Sequence, residues 1–173
     1  DTQRFLYTIE FFPEEGKYHL DGHRLCQVRM TPEESRRNQH RCPACGRKVT
    51  IGVLHRVEDL SDRPEGAKAP RGIPFKRLVP LEQIISEVRG VGVGSKRVEQ
   101  EYLDLVGRLG SELDILAELP EEILRKGAAP SIAEGILQVR REEVRILPGY
   151  DGEYGQVQIA KGKTTGQPMG EKQ

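Results

Sequence analysis

The sequence predicts an α+β chain of small modules: a zinc-ribbon or knuckle module followed by a helical, helix-hairpin-helix-like module. Three observations predict it. Two metal-ligand pairs stand in the first third, a glycine hairpin joins two amphipathic stretches in the middle, and the composition is too polar for one large core. Of 173 residues, 36% are apolar and 31% charged, with no Trp, 4 Phe and 5 Tyr. Such a chain must build its cores from Leu, Ile and Val, and a module this small needs a staple to stay folded.

Along the chain, Gln3 to Phe12 is rich in aromatic and β-branched residues and predicts a strand ending at Pro13. Thr31-Pro32-Glu33-Glu34 is a helix start, with Thr as N-cap, Pro in the first turn and acids beside the helix dipole. That helix gives out near Asn38, and Lys48 to Leu54 predicts a following strand. Ser61 to Pro80 holds four prolines and reads as a linker. Leu81 to Arg89 places Leu81, Ile84, Ile85 and Val88 on one helical face. Ser95 caps a second helix running to Leu109, with Val98, Tyr102, Leu105 and Val106 as its buried stripe. Asp114 to Ala117 is helical, Pro120 opens a helix to Lys126, and Ser131 caps a last one to Arg141. Val144 to Leu147 and Gln156 to Ala160 predict short strands around a Gly/Tyr turn. The expected organisation is 1–20, the strand remnant of an upstream domain; 21–60, the zinc module; 61–80, the linker; 81–147, the helical domain; and 148–173, turn, strand and tail.

The metal site rests on His23 and Cys26, then Cys42 and Cys45, each pair with two residues between its members and fifteen between the pairs. A tight turn of that length lets both side chains face one ion, and Gly46 lets the backbone turn its amides toward the thiolates. Thiolate and imidazole donors select Zn²⁺, and four protein ligands leave no position for water, so the zinc is structural. His19, His40 and His55 compete with His23 for the fourth place. Three cysteines cannot close a disulfide framework, which fits a reducing, cytoplasmic protein.

Net charge is zero, with 27 basic and 27 acidic residues, yet from Arg36 to Arg56 there is no acid. Arg47, Lys48, His55 and Arg56 within that island are candidate phosphate contacts, against the alternative of a solvated face. At the hairpin, Gly92 and Gly94 would let backbone amides approach a DNA phosphate at the helix N-terminus opened by Ser95, with Lys96 and Arg97 adding charge. The alternative is an αα-hairpin that turns on glycine for packing alone. Ala128 to Ser131 stands at a second, weaker hairpin. In the turn Gly149 to Gly155, Tyr150 or Tyr154 either anchors the fold or stacks on an exposed base. No apolar run approaches the roughly 20 residues of a membrane span, there is no signal peptide, and the start at Asp1 suggests an excerpt of a longer protein.

The segments Thr8 to His19 (TIEFFPEEGKYH), Asp21 to Arg24, Cys42 to Gly46, Gly52 to Glu58, Asp62 to Gly66 and Pro148 to Gly155 together resemble the part of endonuclease Q-type proteins that follows their PHP domain. Similar segments are fused to UvrD-type helicases. The resemblance covers nearly the whole chain. It implies a DNA-repair endonuclease that cleaves beside deaminated bases such as uracil and hypoxanthine and at abasic sites. It also implies that the PHP cluster of His, Asp and Glu lies upstream. With four His in all and no His-x-His pair, this chain is expected to carry no catalytic residue and to serve as the zinc- and DNA-binding part of a hydrolase. Three rivals stand beside that reading: an autonomous nuclease using Glu10, Glu14, Glu15, Asp21 and His19, a zinc and helical scaffold for protein partners, and a helicase appendage.

Overall fold

The computed structural model describes residues 5–64, 66, 67 and 72–159. The chain divides into two compact units, Asp1–Val79 with Arg145–Gln158, and Pro80–Val144 with Ile159–Gln173. Helices and small two-stranded sheets alternate, so the mixed α and β class holds.

In the first unit the predicted strand at Gln3 to Phe12 shortens to β1 (Thr8–Glu10), with Gln3 and Arg4 outside the described residues. Phe12 turns inward and is 2% exposed, and Pro13 opens a 3₁₀ turn, so the extended run stops there. β2 (Asp21–His23) and β3 (Val28–Met30) form an antiparallel hairpin that pairs His23 with Val28. Its loop is a 3₁₀ turn, Arg24–Cys26, closed by Gln27 in the left-handed region at φ 54°. α1 (Pro32–Arg37) begins as predicted, in a full capping box between Thr31 and Glu34, and ends at Asn38. The strand predicted over Lys48 to Leu54 is not formed. Only the bridges Arg41 to Lys48 and Gly22 to Thr50 remain of it, and α2 (Val53–Leu60) begins inside the run. Distant groups decide this. Val53 and Leu54 donate their N–H groups to the carbonyls of Tyr18 and His19, and Gly52 donates to the Asp21 carboxylate. A helix start whose orphan donors are satisfied from elsewhere in the fold outcompetes a β-rich local pattern. β4 (Phe75–Arg77) then pairs in parallel with β1, Ile9 opposite Lys76. Residues 65 and 68–71 of the expected linker lie outside the described residues.

The second unit is helical. α3 (Leu81–Arg89) packs on α4 (Lys96–Leu109), and the predicted faces are the buried ones: Leu81, Ile84, Ile85 and Val98 are fully enclosed and Leu105 nearly so. Gly90 ends α3 at φ 66°, a conformation that favours glycine, and the Ser95 hydroxyl caps α4. A π-helical turn, Asp114–Glu118, precedes α5 (Glu121–Gly127) and α6 (Pro130–Arg140). The last helix is capped by Ala129 rather than Ser131, because Pro130 presets the first-turn φ and moves the start back. Gly135 lets α6 approach α3 closely: a Cβ there would stand 3.1 Å from Ile84 and 3.2 Å from Val88. β5 (Val144–Leu147) pairs with β6 (Gln156–Ile159), and Ala160 and the tail lie outside the described residues. Among the described residues no helix is long and apolar enough to cross a membrane.

Candidate metal centre and its surroundings

The β2–β3 hairpin presents His23 at the end of its first strand and Cys26 at the end of its turn. The other pair sits on a knuckle. Cys42 donates its N–H to the Arg47 carbonyl at 2.7 Å, Gly46 donates to the Cys42 carbonyl at 2.8 Å, and Gly46 takes φ 70°. The two pairs converge, and the ligand atoms of His23, Cys26, Cys42 and Cys45 all lie within 4.8 Å of one another, with Cys45 Sγ 3.5 Å from His23 Nδ1. Ligands of one tetrahedral zinc stand roughly 3.3–3.8 Å apart, given bonds of about 2.0–2.3 Å, so small rotamer adjustments would close the cluster on an ion. Three sulfurs and one imidazole are a zinc-type donor set, and the cluster can hold a metal. Beneath it Met30, Cys42 and Val49 form a small core with Cys26 and Val28 packed against it.

The thiols differ before any ion binds. Burial opposes ionisation of Cys42, but the Ala44 and Cys45 amides and the His23 and Cys45 side chains overcome it and lower its pKa to about 7. Hydrogen bonding to Cys45, with burial and Cys42 behind it, pushes Cys26 up to about 11. Ion binding at neutral pH must therefore expel protons.

Three acidic residues that spacing alone does not mark organise this unit. Asp21 is fully buried. Its Oδ1 accepts from Gly52 N at 2.7 Å and its Oδ2 lies 2.6 Å from His55 Nδ1. Asp59, one turn beyond His55 on α2, accepts from Arg36 at 2.9 Å. Asp151, in the Gly/Tyr turn, accepts from the Thr50 hydroxyl at 2.5 Å and from Arg24 N at 2.6 Å, binding the turn to the hairpin that carries His23. Burial works against its charge, but those two donors hold the Asp151 carboxyl below the usual carboxylate range. The same turn donates from Gly149 and Gly155 to the carbonyls of Glu14 and Glu15. In the sequence, Asp151 stands out only by its place in a family-like segment, and Asp21 by that and as a candidate ligand of the rival nuclease.

The remaining candidates separate by exposure. Arg47, Lys48 and Arg56 are exposed, whereas His55 is buried against Asp21. Tyr150 is buried, with the Arg29 guanidinium 5.0 Å from its ring centre, and Tyr154 is 74% exposed. At the helical hairpin Gly92, Gly94, Lys96 and Arg97 lie at the surface, and Arg97 is 3.2 Å from Glu101. A Cβ at Gly92 or Gly94 would meet no atom within 4 Å, so packing does not require glycine at either position. Glu10, Glu14, Glu15 and His19 do not join a ligand cluster; among the described residues such groups converge in two places, the Cys/His cluster and Asp21–His40–His55.

Residues 80–143 match the MJ0043 C-terminal domain family. The chain is 34% identical to the uncharacterised protein MJ0043 of Methanocaldococcus jannaschii, over 84% of this chain and 18% of that protein. It is 27% identical to the uncharacterised protein YqxK of Bacillus subtilis, over 91% of this chain and 36% of that one. Among solved structures, the lesion-specific endonuclease PfuEndoQ from Pyrococcus furiosus superposes with a TM-score of 0.80 at 30% identity, over 94% of this chain and 40% of that one. The chain resembles endonuclease Q. A second endonuclease Q structure, in complex with a 27-mer duplex substrate with an abasic lesion at the active site, gives a TM-score of 0.72 at 30% identity, over 91% of this chain and 41% of that one. The chain thus spans less than half the length of each of these relatives, and its likeness to endonuclease Q runs through both units.

Proposed function

We propose that this chain is the zinc- and DNA-binding portion of an endonuclease Q-like enzyme that recognises deaminated or abasic DNA for repair, with the hydrolytic PHP metal site outside it. The observation that carries the reading is the likeness to a lesion-specific endonuclease over 94% of the chain at 30% identity. In this reading His23, Cys26, Cys42 and Cys45 hold one structural Zn²⁺ that fixes the β2–β3 hairpin against the knuckle. Arg47, Lys48 and Arg56 on the exposed basic island contact phosphates by charge. The open surface at Gly92 and Gly94 leaves amides free to approach a phosphate, with Ser95 opening α4 and Lys96 and Arg97 beside it. Of the two tyrosines, the exposed Tyr154 is the one free to stack on a base. His55 supports the unit from within and does not touch DNA directly.

The test is binding of the zinc-loaded chain to a duplex with one abasic site across a salt series. Micromolar affinity that falls with salt is expected, since each neutralised phosphate releases counterions. Absence of binding to single- and double-stranded DNA at low salt would leave a protein-interaction scaffold as the better reading.

A further inference from the structure

Beyond the Cys/His cluster, we infer that His40, His55 and Asp59 form a second, three-ligand site for a zinc-class divalent cation, open to solvent at its fourth position. The inference does not depend on the DNA-binding reading.

The geometry begins on α2, where His55 and Asp59 are one turn apart and His55 Nε2 stands 4.0 Å from Asp59 Oδ1. The His40 ring faces His55 with centroids 5.1 Å apart and planes tilted by 50°, so the rings do not stack face to face. Ligand atoms of Asp21, His40 and His55 lie within 4.8 Å of one another. Asp21 sits behind the site rather than in it: it is fully buried and holds the Gly52 amide and His55 Nδ1, whereas Asp59 lines the same cleft as His40 and His55, its Oδ1 also accepting from Arg36.

What distinguishes the group from a chance meeting of polar side chains is that each ligand is held by a partner of its own. Asp21, fully buried, takes His55 Nδ1 and leaves Nε2 for an ion. Ser35 Oγ, also fully buried, is 3.3 Å from His40 Nδ1. Arg36 holds Asp59 at 2.9 Å. Imidazole ligands oriented by a buried carboxylate are the usual support of a zinc site. The backbone shows a matching distortion. Gln39 and His40 both adopt left-handed φ values, 53° and 56°, though neither is glycine, and that kink carries the His40 ring toward His55. Two imidazoles and a carboxylate suit zinc, and three protein ligands with an open fourth position differ from the closed thiolate site. The open position faces a cleft of ≈ 420 Å³ lined also by Arg41 and Lys48, so its fourth ligand is water or an oxyanion.

Cobalt(II) tests the assignment in the full chain, because sulfur and nitrogen–oxygen sites give different spectra. Wild-type protein should bind two equivalents, one with a thiolate-to-cobalt charge-transfer band and one showing only ligand-field bands. His40→Asn, chosen because Asn tolerates a left-handed backbone, and Asp59→Asn should each remove the second equivalent and leave the charge-transfer band intact. His55 is left unchanged, since its removal would strand the buried Asp21 carboxylate. Thermal melts of the apo variants matching the wild type would show that the loss is not unfolding. A wild type that shows no equivalent with ligand-field bands alone, or a His40→Asn/Asp59→Asn double variant that keeps it, would overturn the inference. A single equivalent that shows only ligand-field bands and is lost in the variants would uphold it while removing the thiolate zinc site.

Discussion

Asp151 shows how one side chain can hold the first unit together from far along the sequence. It takes two donors, the Thr50 hydroxyl and the Arg24 amide, and its pKa in the folded chain is depressed. A depressed carboxylate contributes stability above its unfolded pKa and loses it as pH falls through the folded value. Asp151→Asn should therefore destabilise the first unit by about 1–3 kcal/mol at neutral pH, on the scale of hydrogen bonds to a charged group. The gap between wild type and variant should close in acid. Chemical denaturation at pH 7 and near pH 3 measures both. The zinc reading makes its own prediction at this scale. Cys42→Ser/Cys45→Ser should abolish the thiolate-to-cobalt band, and His23→Ala should weaken that band's metal more than His40→Asn does. The convergence of His23, Cys26, Cys42 and Cys45 was legible because their paired spacing is a local signal. The Asp21–His55 pair was not. Its members are 34 residues apart, and a buried carboxylate cannot be told from a surface one until the chain has folded around it.

At the scale of elements, capping and periodicity decided most boundaries, and the exceptions have a common origin. Thr31, Ser95 and Gly90 work as their sequence context implies because their partners lie within a turn of them. α2 was hidden in a β-rich run because its N-terminal donors are met by Tyr18, His19 and Asp21. α3, which forms over the predicted residues, also has no local side-chain cap, and Glu112 accepts from Leu81 N at 2.8 Å from a position 31 residues on. The π-helical turn depends on Arg140, whose guanidinium donates to the carbonyls of Ile115, Leu116 and Leu119 at 2.7–2.9 Å. Burial of the guanidinium lowers the Arg140 pKa. Arg140→Met should cost about 2–4 kcal/mol, because it strands part-buried carbonyls, and should be visible as a lower melting temperature for the helical unit. Gly92→Val/Gly94→Val tests a different property of the same unit. Open space at both positions means that the fold should tolerate the change, while DNA affinity should fall if amides at this hairpin meet phosphate.

Across the whole molecule, neutral net charge limits long-range attraction to a polyanion, so any DNA affinity has to come from local patches. Lys96→Ala/Arg97→Ala should reduce the slope of log affinity against log salt by about one for each phosphate that the variant no longer neutralises, with little change in sequence preference. Arg97 also pairs with Glu101, so Lys96→Ala alone gives the cleaner measurement. Under the proposed division of labour, the chain supplied with Mg²⁺ or Mn²⁺ and a uracil-containing oligonucleotide should leave it uncut. Incision abolished by Glu10→Gln would restore the autonomous nuclease.

The order of the two units along the chain limits how the protein can be dissected. The helical unit is spliced into the first unit, which resumes at Arg145 after Val144. A fragment stopped at Val79 would therefore lack Asp151, the glycines that meet Glu14 and Glu15, and the Tyr150 ring that packs on Gly22. Deleting everything after the last helix would injure the ligand hairpin at the opposite end of the sequence. The productive design is a loop-out, in which a flexible bridge replaces residues 80–144 and both flanks of the first unit are kept.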